Sequence, residues 1–432
     1  MLAKTPHALD THAIRQAGRE VLSLALMDAR NHTLHTMAQF EKTIPELRFA
    51  SDLSVPRIAE ALPPLWLLGY AGWFQEWWIG RNTQRSLGSQ CPAQPVRLAS
   101  IEPKADASWN PAMLSRSDRW VQSQPELGDI KAYLLETLES TLETLEKTDD
   151  SDDALYFYRL ALAREDQIGE QFMVMAQALG LKIQVPTSPV FTHRAPLALP
   201  ATRWMLGAQV AGVQVAGARA AGSQSVGFSW DNEHRAHEVR VPEFEIDAQP
   251  VSWSQYVEFI DDGGYDDAAH WSAKGWDWLQ DQAAREGRRG PRYVDQIGVA
   301  SGAVLTTRFG HTQRAAGQSS ALHVTWYEAQ AYARWAGRRL ATEVEWEIAA
   351  HKAQGQGFRW GDVWEWTANT FSPYPGFVAG PWVNYSSKSF EHCKVLRGGS
   401  FATRARMKQP TFRGFALPQV DGGFWGFRTC AV

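Results

Sequence analysis

Cysteine is scarce. The 432-residue chain has three, Cys91, Cys393 and Cys430, too few and too scattered for a disulfide framework or a four-thiolate zinc site. That predicts a reducing compartment. An excess of one charge is also missing: 43 basic against 47 acidic residues leave a net charge of −4, so no global field draws in nucleic acid or anionic lipid. Long apolar runs are absent as well. The most apolar later stretch, Trp204 to Ala218, is broken by Gln209, Gln214 and glycines and falls short of the roughly 20 residues a spanning helix needs. The first residues carry Lys4, Asp10, Arg15 and Arg19 with no apolar run behind them, unlike a secretory signal. The expectation is a cytoplasmic protein with neither nucleic acid nor membrane as partner.

With 44% hydrophobic and 21% charged residues the composition suits a folded protein, and the length suits two domains. The 20 tryptophans are distributed over both halves, as expected of a scaffold built on aromatic packing. Residues 1–185 read as helical. Val21, Leu22, Ala25, Leu26, Ala29, Thr33 and Met37 step by threes and fours, as do Ile130, Leu134, Leu138, Leu142 and Leu145, the spacing of amphipathic helices. A third helix starts at Pro63-Pro64 and runs to about Arg81; a fourth follows the Asp149–Asp153 run and ends at Gly180. The fold class is therefore a four-helix bundle followed by an α+β domain. Pro186, Pro189 and Pro196 mark residues 186–199 as linker, and Ala208 to Gly222 reads as a loop or weak hairpin. Residues 200–432 show short alternating segments such as Val239, Val241, Phe244 and Ile246. They contain one clear helix, Trp326 to Trp335, which Gly337 can end, and a Thr342/Glu345 capping box for the next.

Two stretches carry more information. His323 to Ala350 reads HVTWYEAQAYARWAGRRLATEVEWEIAA, and Gly361 to Thr367 reads GDVWEWT, followed by Arg397-Gly398-Gly399-Ser400. Together they resemble the formylglycine-generating-enzyme-like domain, a C-type-lectin-related fold. In the cysteine oxidases of that group two cysteines follow the RGGS segment and bind copper. Here Thr403 and Lys408 stand there, so formylglycine chemistry is not expected.

In the first half, Pro63-Pro64-Leu65-Trp66, Gly69-Tyr70-Ala71-Gly72-Trp73-Phe74-Gln75-Glu76 and Leu155-Tyr156-Phe157-Tyr158-Arg159-Leu160-Ala161-Leu162 resemble the DinB-like bundle of the ergothioneine-type sulfoxide synthases. The tail Phe424-Trp425-Gly426-Phe427-Arg428-Thr429-Cys430 looks most similar to the selenoneine-synthase branch. The resemblance implies a non-haem ferrous-iron enzyme that uses dioxygen to join a sulfur or selenium donor to the imidazole of hercynine. Its ligands would be hercynine and a thiol or selenosugar.

The resemblance places three iron-binding histidines where this chain has Tyr70, Arg164 and Ile168. A guanidinium stays protonated and isoleucine has no lone pair, so of the three only the phenol can donate to a metal. No metal site and no cofactor are expected in this copy. Glu165, Asp166 and Glu170 lie off the 164/168 stripe and are expected to be solvated. His32/His35 are expected to be exposed helix residues, and His234/His237 surface turn residues. Gln167 matches a position that touches the substrate imidazole in the family. Arg413-Gly414-Phe415 stands where an Arg-Asn pair is followed by aromatics, with glycine removing an orienting amide. The leading expectation is an impaired or repurposed relative. The others are an active selenoneine-branch synthase with a shifted metal site, or a small-molecule or partner-binding module.

Overall fold

The computed structural model describes residues 9–47, 53–186, 192–208, 227–298 and 302–432. The stretch expected as a loop or weak hairpin, Ala208 to Gly222, lies outside the described residues beyond its first member.

The first half contains α1 (Arg19–Thr43), α2 (Pro64–Gln75), α3 (Ala105–Trp109), α4 (Asp118–Val121), α5 (Leu127–Glu146) and α6 (Asp152–Leu179). The four long ones pack together, α1 and α2 each against both α5 and α6. Pro64 sits in the first turn of α2, where its missing N–H costs nothing. After Gln75 the helix loosens into one π-helical turn, Glu76–Gly80. The buried Glu76 carboxylate accepts from Tyr133 Oη (2.6 Å), Ser100 Oγ (2.7 Å) and the Ile101 amide (2.7 Å). The Ser151 hydroxyl caps α6, with Asp152 and Asp153 in its first turn. Gly180 ends it at φ 68°, a conformation that costs a side-chain-bearing residue about 1 kcal/mol or more.

The second half opens with β1 (Leu197–Leu199), β2 (Thr202–Leu206), β3 (His237–Val241) and β4 (Phe244–Ile246). Then come α7 (Trp253–Asp261), α8 (Ala273–Glu286) and the hairpin strands β5 (Val294–Gly298), β6 (Ala303–Arg308) and β7 (His311–Arg314). The rest comprises α9 (Trp326–Trp335), β8 (Arg339–Leu340), α10 (Glu343–Lys352), β9 (Trp364–Thr370), β10 (Lys394–Arg397), β11 (Gly414–Ala416), β12 (Trp425–Phe427) and β13 (Thr429–Cys430). One sheet runs β1-β4-β13-β8 and another β11-β10-β9-β12. In the second, β9 is antiparallel to β10 and parallel to β12, which sets Trp364 beside Trp425 and Gly414 opposite Leu396.

Two expectations are corrected. The 186–199 linker already contains a strand, because Leu197–Leu199 pairs with β4. Among the described residues the second half holds four helices of nine residues or more rather than one plus a capped start. α7 is closed by a Ser252/Gln255 capping box, and α8 escapes the periodicity test because only Gly275 and Leu279 are buried on it. The main apolar cluster spans both halves. It includes Leu26 and Phe172 from the bundle together with Trp230 and Trp366 from the second half.

Candidate functional site

Where α6 meets the second half, two cavities open side by side. The smaller, about 270 Å³, is lined by Arg164, Gln167, Trp364, Tyr385, Gly414 and Phe415 among others. The larger, about 720 Å³, is lined by Trp66, Tyr70, Trp73, Arg116, Arg119, Trp382 and again Arg164. Arg164 is thus common to both.

Helix α2 supplies the aromatic wall of the larger cavity. Tyr70 stacks on Trp66 at 5.0 Å between ring centroids and on Trp73 at 5.8 Å. The helix can lie this deep because Gly69 faces the Trp109 indole, which a Cβ there would meet at 2.2 Å. The Arg164 guanidinium lies 5.3 Å from the Tyr70 ring and 5.5 Å from the Trp382 ring, cation–π geometry. Its Nη1 donates to Gln167 Oε1 at 3.2 Å, and Gln167 Nε2 donates to Tyr385 Oη at 3.0 Å. Arg164 Nε is buried without a partner, and Arg164 forms no ion pair among the described residues. Arg119 packs over Trp66 at 4.1 Å. Burial holds its pKa below the usual value, and the like charges of Arg116 and Arg164 add to that. Among the described residues no Asp or Glu lines the larger cavity. Its field is positive and its walls aromatic, which suits an anionic or zwitterionic guest.

Of the residues singled out from the sequence, the structure brings Tyr70 and Arg164 together, and sets Gln167, Gly414 and Phe415 around the smaller cavity. Two behave otherwise. Ile168 is 0% exposed within the apolar core. Arg413 is withdrawn from the candidate pocket, since its side chain is buried against Glu343, with Nε at 2.9 Å from the carboxylate. The Gly414 position is also tighter than a missing amide suggests, for a Cβ would stand 3.0 Å from Trp364.

The carboxylates expected to be solvated are not. Glu165 pairs with the buried Arg30 at 2.7 Å, and Asp166 takes a bidentate contact from Arg406, both bonds 2.7 Å. Glu170 accepts from Trp364 Nε1, Ser400 Oγ and Thr403 Oγ1. Helical spacing shows which face a residue is on, not which cation crosses to meet it. Thr403 is therefore engaged with Glu170, and Lys408 donates to the Gly361 carbonyl.

The histidine expectations change too. His32 is half-buried against Gly169, and burial lowers its pKa to about 4. His35 Nε2 is buried without a partner. His234 is paired with Ser229 Oγ at 2.5 Å with its pKa lowered by burial, and His237 packs on Tyr374. Among the described residues no three His, Cys, Asp or Glu side chains come together as a metal site. Arg116, Arg119, Trp382 and Tyr385 were missed in the sequence. Their signal is spacing alone: two arginines and two aromatics, each pair three residues apart, in segments with little regular structure.

Comparison with known proteins fits this architecture. The sulfatase-modifying factor enzyme 1-like domain family matches residues 211–362 and 357–431. The hercynine oxygenase of Mycolicibacterium smegmatis is 30% identical, with 95% of this chain and 98% of the relative covered. That of Mycobacterium tuberculosis is 31% identical, with 85% and 90% covered. The formylglycine-generating enzyme of Streptomyces coelicolor is 27% identical over 48% of this chain and 83% of its own. A bundle-plus-domain architecture and similarity along nearly the whole length lead to one assignment: the chain belongs to the hercynine oxygenase family, with a sulfatase-modifying factor enzyme 1-like domain as its C-terminal half.

Proposed function

We propose that this chain binds a hercynine-type ligand together with an anionic thiol or selenosugar in the paired cavities, and does so without the iron-dependent oxidation implied for its family. The observation that carries the reading is Arg164, a cation common to both cavities and held between Tyr70 and Trp382. It occupies one of the three positions that the family resemblance assigns to the metal.

The fit of ferrous iron is a question of donor chemistry. At those positions stand a phenol, a guanidinium and an isoleucine buried in the core. A protonated guanidinium beside a cation is repulsive, and an aliphatic side chain offers no lone pair. These residues do not fit the ion. The remaining groups suit recognition instead. Aromatic faces accommodate a quaternary ammonium, and Arg116, Arg119 and Arg164 suit carboxylate groups.

The test is calorimetric titration with hercynine and with γ-glutamylcysteine, alongside oxygen uptake after loading with ferrous iron. Saturable binding of hercynine with no hercynine-dependent oxygen uptake is expected. Turnover with iron would replace this reading by that of an active synthase, and absence of binding for every ligand would remove it.

A further inference from the structure

The two interface cavities differ in charge, although one residue lines both. The larger carries Arg116, Arg119 and Lys388 besides Arg164, and no carboxylate among the described residues. The smaller is walled by aromatic rings, among them Trp364, Tyr385 and Phe415, and its acidic members are Asp166 and Glu170. Asp166 is neutralised by Arg406. Glu170 forms no ion pair among the described residues: it accepts from the neutral Trp364, Ser400 and Thr403, and Lys408 acts on it from beyond ion-pair distance. Aromatic faces beside an unpaired carboxylate favour a cation, above all a quaternary ammonium. Clustered guanidiniums favour carboxylates.

Among the described residues Arg164 is the one cation lining the smaller cavity. Its charge is felt on both sides. Burial lowers the Arg119 pKa in the larger cavity and the Arg164 charge adds to that, whereas burial raises the Tyr385 pKa in the smaller one and the Gln167 bond and the Arg164 charge pull it back. A hydrogen-bond link runs the same way. The Gln167 amide accepts from Arg164 and donates to Tyr385, so a guanidinium drawn toward a guest of the larger cavity shifts a bond in the wall of the smaller.

We propose that the paired cavities fill cooperatively, with Arg164 as the coupling residue: its unneutralised charge repels a cationic guest from the smaller cavity, and an anion bound in the larger cavity removes that repulsion. The inference rests on the function proposed above and adds its regulation. Such coupling is reciprocal, each guest raising the affinity of the other by the same factor.

Calorimetric titration of the full chain tests this with γ-glutamylcysteine as the anion and N,N,N-trimethylhistamine as the cation, an imidazole with a quaternary ammonium and no carboxylate of its own. Saturating γ-glutamylcysteine is expected to tighten trimethylhistamine binding about ten-fold, or about 1.4 kcal/mol of coupling. Arg164→Met removes the charge and keeps most of the bulk. In that variant the coupling should vanish, while trimethylhistamine alone should bind tighter than it does to the parent; a merely structural role for Arg164 would weaken it. Arg164→Lys keeps the charge and should keep most of the coupling. Binding of both probes with no mutual effect overturns the inference and leaves the proposed function in place, and so does coupling that survives Arg164→Met. Mutual exclusion overturns it by putting both probes in one cavity, as does failure of trimethylhistamine to bind even beside γ-glutamylcysteine. Binding of neither probe removes the proposed function itself, and this inference with it.

Discussion

Arg164 separates stability from function at a single residue. Its interactions are two ring faces and one amide, and partly exposed cation–π contacts are worth about 0.5–1 kcal/mol each. Arg164→Ala should therefore lower stability by no more than about 2 kcal/mol while weakening an anionic ligand of the larger cavity ten-fold or more. Denaturant titration and calorimetry on the same variant check both. Ile168→His should behave in the opposite way. The position is fully buried, so an imidazole there costs about 2–4 kcal/mol through lost packing and an unsatisfied polar group. Asp362 and His323 make a pH prediction. Burial raises the Asp362 pKa to about 6 from 3.8, so the folded state holds a proton that the unfolded state has released. Stability then falls as pH rises through that window, by about 3 kcal/mol in all. Burial lowers the His323 pKa to about 3 from 6.5, which makes stability fall as pH drops below about 6.5. Between pH 4 and 6 the two contributions oppose each other. Asp362→Asn removes the first, so the variant should lose stability on acidification more steeply than the parent, read as melting temperature against pH.

Among the elements, α6 organises most of the interface. Within two turns it sends Arg164 and Gln167 to the cavities, Glu165 to Arg30, Asp166 to Arg406, Ile168 to the core and Glu170 to Ser400 and Thr403. All its faces are in use, so its amphipathic pattern is blurred although the helix itself is long and well capped. Helix α2 is the other determinant. Because Gly69 admits the Trp109 indole at a distance no Cβ tolerates, Gly69→Ala should cost about 1–3 kcal/mol by overpacking. It should also displace the aromatic wall that carries Tyr70. Chemical denaturation measures the first effect. The second should appear as a change in near-ultraviolet circular dichroism with unaltered helix content.

At the scale of the whole molecule, buried ion pairs tie the bundle to the C-terminal domain. Arg406, with a fully buried side chain, reaches Asp166 and Asp28; Arg15 pairs with the buried Glu233; Arg292 reaches Glu60. Such pairs are close to neutral in net worth when complete but costly when broken, because the remaining charge stays desolvated. Arg406→Met should thus cost about 3–5 kcal/mol, because Asp166 loses both bonds from Arg406 while Asp28 keeps Arg404, and open the interface to limited proteolysis. Asp166→Asn in the Arg406→Met background should recover part of the loss. Equal stability of the single and double variants would show that the charges are not coupled.

The four long helices, the capping box at Thr342, and the motif stretches His323–Ala350 and Gly361–Thr367 were legible from the chain alone. Each depends on neighbours within a few residues, where periodicity and capping chemistry act. The pairing of Tyr70 with Arg164 was foreshadowed by the family resemblance, but the ring–guanidinium contact was not. Helix α8 was hidden because only Gly275 and Leu279 are buried on it, whereas α7 was overlooked although Trp253, Tyr256 and Val257 follow helical spacing. The fates of Glu165, Asp166, Glu170 and Arg413, the recruitment of Arg116, Arg119 and Tyr385, and the burial of His323 and Asp362 were decided only by tertiary structure. Each turns on which group lies across an interface from residues distant in the chain. Local pattern specifies the face a side chain presents, whereas desolvation and charge pairing depend on what the completed fold brings to meet it.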